Sequence, residues 1–387
     1  MKKVSKQIII SWIILTIWGI INIYSASYAQ AVNHNTLVLK EIIKPIIVFL
    51  FLLIILFFIR KNSGFYYKLI QKNIVSLFIL TIIFLIAVLV IGGIRGGAKS
   101  VIDLIVFDFQ PLEMTKIIII LFLAKAFSEA KINLLGFKLD KLNKFNQLLK
   151  LGIITLVPVF LVFIEPDLGG AIILVFLIFI MFILNGVHVK KILKISLILV
   201  IIGLFLIFII SNSNVLHDYQ MSRFSAWIDP FADRHETGWG IINAIIGISN
   251  GNLFGSGFLH SLQKSFVGTA IGTDYIFVLI AEEWGLFGVC FTIGMLVYLV
   301  SRCIRIGNYS PYRFDMLYCY GYGFLILLQV IVNVAGVCNL IPMTGVTLPF
   351  ISNGVNSYLF LSLGLFFCVI IERRAALYYN KRMLGEW

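Results

Sequence analysis

Unbroken apolar stretches separated by short charged passages run the length of this chain. A hydrocarbon layer is crossed by about 17–25 apolar residues in a helix, or by alternating strands closed into a barrel. The stretches here are continuous rather than alternating, which selects helices. Ten are predicted, at 8–26, 42–59, 74–93, 110–127, 151–165, 170–186, 192–211, 275–299, 316–338 and 355–371. The pattern therefore predicts an all-α polytopic membrane protein with ten transmembrane helices. The longest segment between them is about 64 residues, so 1–387 reads as one transmembrane domain.

Charge orients the helices. With the N-terminus inside, 23 of the 31 Lys and Arg residues are cytoplasmic and only 5 of the 18 acids are, as the positive-inside bias requires. Both termini are then cytoplasmic, and the long 212–274 segment between helices 7 and 8 faces outward. The net charge of +13 is mostly this inner-face bias, which suits anionic membrane lipids rather than nucleic acid. Hydrophobic residues make up 60% of the chain and mean hydropathy is +1.02, which keeps most of its length in a bilayer. The first apolar run, which ends near Ala29-Gln30-Ala31, is too long for a typical cleaved signal. Five cysteines show neither metal-ligand spacing nor a close pair and read as packing residues.

Ionisable groups at membrane depth are costly and usually face a cavity or a partner. Glu113 and Lys116 stand three apart behind a Gln110-Pro111 helix start, as a structural ion pair or a functional one. Asp167, in EPDLGGA, can cap the sixth helix or serve the site. The outer loop supplies His217, Arg223, Trp227, Asp229 and Lys264. A guanidinium and an ammonium near the headgroups suit a phosphate-bearing ligand, whereas His217 reads as a solvated loop residue. Asp274 opens the eighth helix, where the helix N-terminus favours its ionised form. Capping is the competing role. Glu282 and Glu283 follow about 12 Å deeper at 1.5 Å per residue. The passage at 339–357, with Pro342, Gly345, Pro349 and Gly354, is irregular backbone suited to lining a wet cavity.

In this order the polar passages resemble the SEDS family of bacterial envelope proteins (shape, elongation, division, sporulation), the FtsW and RodA type. The likeness covers about 92–372. The family's QPSE-x-x-K is matched by QPLEMTK, its QPDLG by EPDLG, and its R-x-x-x-x-x-DP by Arg223 to Asp229-Pro230. Its Q-K…HTDFIF…EE-x-G is matched by Gln263-Lys264…GTDYIF…EEWG, and its LP-x-x-G-x-x-LPF-x-SYGGS by IPMTGVTLPFISNGVNS. The departures are Lys99-Ser100 for Arg-Trp, Gly240 for glutamine, Thr269-Ala270 and Gly272 for Pro-Glu and His, and Asn353, Val355 and Asn356 within SYGGS. They suggest a specialised, divergent paralogue.

The resemblance implies a peptidoglycan glycosyltransferase that polymerises lipid II at the outer face of the membrane, in division, elongation or sporulation. It implies that Asp274 is the catalytic aspartate and that Glu113, Lys116 and Asp167 line its cavity. Arg223 and Lys264 fit as ligands of the substrate's pyrophosphate. No metal ligands are assigned, although a divalent cation is a candidate helper. A class B penicillin-binding transpeptidase is the expected partner. Two rival functions remain: a lipid II flippase, for which Glu282 and Glu283 speak, and a weakly active scaffold that recruits the transpeptidase, for which the altered motifs speak.

Overall fold

The computed structural model describes residues 2–28, 35–95, 98–103, 108–129, 131–134, 137–140, 145–187, 223, 225–234 and 238–384. The expected seventh span at 192–211 and His217 lie outside them. Nine expected spans correspond to helices: α1 (Lys2–Tyr28), α2 (Asn35–Lys61), α3 (Ser63–Ile91), α4 (Pro111–Ser128), α5 (Phe145–Ile164), α6 (Leu168–Leu184), α9 (Ile276–Tyr309), α10 (Arg313–Val337) and α11 (Val355–Met383). Several overrun their apolar runs because lysines and arginines at the ends continue the helix while their charged heads reach toward water. Seven of these helices are long and apolar enough to cross a membrane. Among the other two, α4 carries Glu113, Lys116 and Lys125 within 18 residues, and α6 has 17 residues. The molecule is a helical, multi-pass membrane protein.

Three features go beyond the all-α expectation. Strands β1 (Gly93–Arg95), β2 (Ala98–Asp103) and β3 (Asp108–Phe109) form a small antiparallel sheet, and β4 (Lys131–Leu134) pairs with β5 (Phe137–Asp140). The segment before α9 contains α7 (Trp239–Asn250) and the short α8 (Gln263–Val267). At 12 residues α7 is too short to register as a span.

The described residues fall into two compact units: 1–63 with 222–305 and 326–387, and 64–221 with 306–325. In the first, α1 is the axis. Trp12 Nε1 donates to Ser362 Oγ at 3.0 Å, and Thr16 and Tyr358 share a hydrogen bond of 2.9 Å, tying α1 to α11. On the α9 side, Trp18 Nε1 donates to Thr292 Oγ1 at 2.9 Å and Trp284 Nε1 to Asn22 Oδ1 at 3.1 Å. Lipid is as apolar as leucine, so such bonds and close packing hold membrane helices together, each bond worth about 0.6 kcal/mol.

Helix α9 breaks at Gly285 (φ 63°, ψ −156°), roughly 14 Å along the helix at 1.5 Å per residue. A break there frees backbone groups that lipid cannot satisfy. The turn after α7 satisfies them: Leu286 N donates to Asn252 O at 3.0 Å, while Ser256 N and Gly257 N donate to the carbonyls of Glu282 and Glu283 at 2.8 and 3.0 Å. The backbones approach so closely that a Cβ on Gly285 would lie 2.4 Å from Gly255 N.

In the second unit α4 packs against α6 and more lightly against α5. Lys99 Nζ donates to Leu89 O at 2.8 Å and Val90 O at 3.1 Å, so the lysine standing where the family motif has arginine closes the C-terminal end of α3.

Candidate functional site

Asp274 belongs to the turn before α9, not to its first turn. The 3-10 segment Gly268–Gly272 precedes it, and Tyr275 N bonds back to Ala270 O at 3.1 Å, which delays the helix to Ile276. Its main chain is held from two directions. Asn333, buried on α10, donates through Nδ2 to both Asp274 O and Val346 O at 2.8 Å. Ser352 Oγ donates to Thr273 O at 2.7 Å, and Asn353 N donates to Gly272 O at 2.9 Å. The irregular 339–357 passage thus clamps the backbone under the aspartate.

Asp274 itself is half-buried. A Cβ placed on Gly345 would lie 3.6 Å from Asp274 Oδ2, 3.7 Å from Arg223 Nη2 and 3.9 Å from Arg223 Nη1. Asp274 and Arg223 therefore converge over this glycine, whose φ of 72° suits a residue without a side chain. Arg223 Nη1 donates to Met343 O at 3.1 Å, and Trp227 Nε1 to Asn339 O at 3.2 Å. The two bonds anchor the 223–227 segment to the same passage. Gly345 leaves the room in which carboxylate and guanidinium converge.

Lys264 behaves otherwise. Expected to reach a pyrophosphate, it is 5% exposed, and its ammonium donates to Leu259 O at 2.7 Å and to Glu283 Oε1 at 3.3 Å. Glu283 Oε1 also accepts from Ser25 Oγ at 2.6 Å and Ser261 N at 3.3 Å. Glu282 accepts from Ser261 Oγ, from Leu262 N at 3.1 Å and from Gln263 N at 3.3 Å. Together these bonds fasten the 259–264 segment to α9 and α1. Lys264 neutralises a buried acid.

In the second unit Lys116 Nζ lies 2.7 Å from Glu113 Oε1, and both side chains are buried. Glu113 Oε2 has no hydrogen-bond partner among the described residues. Asp167 caps α6 by accepting from Gly170 N at 2.8 Å. Gly170 has to be small, since a Cβ there would lie 2.3 Å from Leu112 Cδ2. That contact sets the first turn of α4, which bears Glu113, against the first turn of α6. Among the described residues no group of three or more His, Cys, Asp or Glu side chains is arranged to hold a metal ion.

Sequence reasoning singled out neither Asn333 nor Ser352 as a support. Asn333 carried a usable signal, because an amide inside an apolar helix needs a buried partner.

The chain is similar to known proteins along most of its length. The family model described as cell cycle protein, FtsW/RodA/SpoVE, matches residues 5–376. The Bacillus subtilis protein named "Probable peptidoglycan glycosyltransferase FtsW" is 29% identical over 374 residues, covering 93% of this chain and 88% of that one. Its namesake from Acinetobacter baylyi is 32% identical over 292 residues, covering 74% and 69%. The fold matches the crystal structure of the Thermus thermophilus rod shape determining protein RodA, with TM-score 0.64 and 24% identity over 95% of this chain and 96% of that one. It also matches a chain from work described as "Structural coordination of polymerization and crosslinking by a peptidoglycan synthase complex", with TM-score 0.72 and 23% identity over 95% and 97%. The chain belongs to the FtsW/RodA/SpoVE family of cell cycle proteins.

Proposed function

We propose that this protein is a peptidoglycan glycosyltransferase, a single ten-helix membrane domain with cytoplasmic termini that polymerises lipid II at the outer face of the cytoplasmic membrane. The observation that carries the reading is the convergence of Asp274 and Arg223 over Gly345, on backbone pinned by Asn333 and Ser352. The relatives named as probable peptidoglycan glycosyltransferases support the substrate class.

In the proposed reaction the acceptor's sugar 4-hydroxyl attacks the anomeric carbon of the donor. Asp274 takes the hydroxyl proton as the new glycosidic bond forms and the bond to the lipid pyrophosphate breaks. General-base help of this kind is worth about 10²–10⁴-fold. Arg223, a bidentate donor, stabilises the charge that develops on the departing pyrophosphate. Lys264 acts at a distance, by holding the 259–264 segment. Glu113, Lys116 and Asp167 are proposed to position substrate.

The proposed partner is a class B penicillin-binding transpeptidase, a reading supported by the match to a chain of a peptidoglycan synthase complex. The direct test of the enzyme is polymerisation of purified lipid II. The wild type should make glycan strands, and Asp274→Ala and Asp274→Asn should not. Equal product from all three would take Asp274 out of the base role.

A further inference from the structure

Glu165 follows α5, in the turn with Pro166 and Asp167, and takes no part in the chemistry above. It is 1% exposed, and neither of its carboxyl oxygens has a hydrogen-bond partner among the described residues. An ionised carboxylate without a donor is among the costliest groups a protein can bury. Among the described residues, the charged groups on α4, α5 and α6 offer no relief. Helix α6 carries none, and α5 has only Lys150, at its other end. On α4, Lys116 is engaged by Glu113, and Lys125 lies in the last turn. Asp167, two residues on, adds a repelling charge. Burial first, and then Asp167, pushes the Glu165 carboxyl up to about 9.

We propose that Glu165 is a positioning residue that works as a neutral carboxylic acid, leaving the α5–α6 turn with the single negative charge of Asp167, and that its ionisation in alkali switches the site off. The matched motif QPDLG has a glutamine here, and a protonated carboxyl has the same shape, one acceptor oxygen and one donor. Once ionised, the side chain would put a second charge beside Asp167, in a turn packed against α4 through the Leu112–Gly170 contact. Asp167, proposed to position substrate, would then share its turn with a second negative charge.

The inference rests on the glycosyltransferase reading, so its test needs two readouts. Lipid II polymerisation by the purified full chain should fall about tenfold per pH unit once pH exceeds about 9. The conservative variant Glu165→Gln should match the wild type at neutral pH and lack that fall. The same alkaline fall in the variant, or its inactivity at neutral pH, would overturn the proposal. Difference infrared spectroscopy follows the proton directly. A carboxylic-acid carbonyl band should be present in the wild type at neutral pH, vanish in alkali, and be missing from Glu165→Gln. A wild type lacking the band at neutral pH would refute the assignment whatever the polymerisation result. A band that titrates as expected in a preparation that polymerises nothing would keep the proton on Glu165 and overturn the glycosyltransferase reading instead.

Discussion

Two acidic stations lie about two turns apart around the start of α9, one closed and one more open. Glu282 and Glu283 are each 1% exposed and held by backbone amides and serine hydroxyls, and Glu283 is paired with Lys264. Asp274 is half-buried, its main chain is held by Asn333, and it meets Arg223 over a glycine. Acids buried among backbone amides and hydroxyls are committed to holding structure. A less buried carboxylate on a pinned main chain, set beside a guanidinium, is placed to meet a ligand. Residue type alone makes the two stations look alike, and burial separates them.

The largest expected effect tests the open station. Asp274→Asn should cost about 10²–10⁴-fold in polymerisation, with the thermal unfolding midpoint unchanged. The closed station should show the reverse signature. Lys264→Ala strands a buried carboxylate and should destabilise the fold by about 3–5 kcal/mol, read by unfolding in detergent, with activity lost only as folded protein is lost. Replacing both partners, as Lys264→Met with Glu283→Leu, should recover much of that stability. A Lys264→Ala protein that folds normally yet polymerises nothing would move Lys264 into the ligand site and dissolve the contrast.

A smaller effect is expected at the point where Asp274 and Arg223 meet. Gly345→Ala forces a side chain into left-handed backbone, at about 1–2 kcal/mol, and into the space between the two groups. Polymerisation should drop roughly tenfold, the kinetic equivalent of that cost, while Asp274→Asn in the same background should add less than it does alone.

The last expected effect concerns Glu165, as a dependence of stability on pH. Its carboxyl is raised from 4.5 to about 9, so between those values the unfolded chain is ionised while the folded chain keeps the proton. The folded state then binds more protons, and stability falls as pH rises through that window and levels off outside it. Glu165→Gln should flatten the unfolding midpoint across the same range.

Much of the scaffold was legible beforehand. Nine of the ten expected spans coincide with helices, because continuous apolar runs of this length leave the backbone few alternatives in lipid. The Gln110-Pro111 start of α4 and the cap at Asp167 were readable too, since both depend on neighbours within one turn. Less legible were α7, whose 12 residues fall short of a span, and the break at Gly285, which relies on a turn about thirty residues earlier in the chain.

The sequence by itself determined which residues enter the membrane, the sign of charge along each connecting segment, and the short list of acids and bases available for chemistry. Those properties are set by hydration and by local spacing. Only the tertiary structure decided how the list divides: Lys264 turned inward to Glu283, Arg223 and Asp274 converging over Gly345, and Glu165 buried without a donor among the described residues. Each outcome depends on a contact or a dielectric created by distant segments, and a charge acquires its role from what surrounds it after folding.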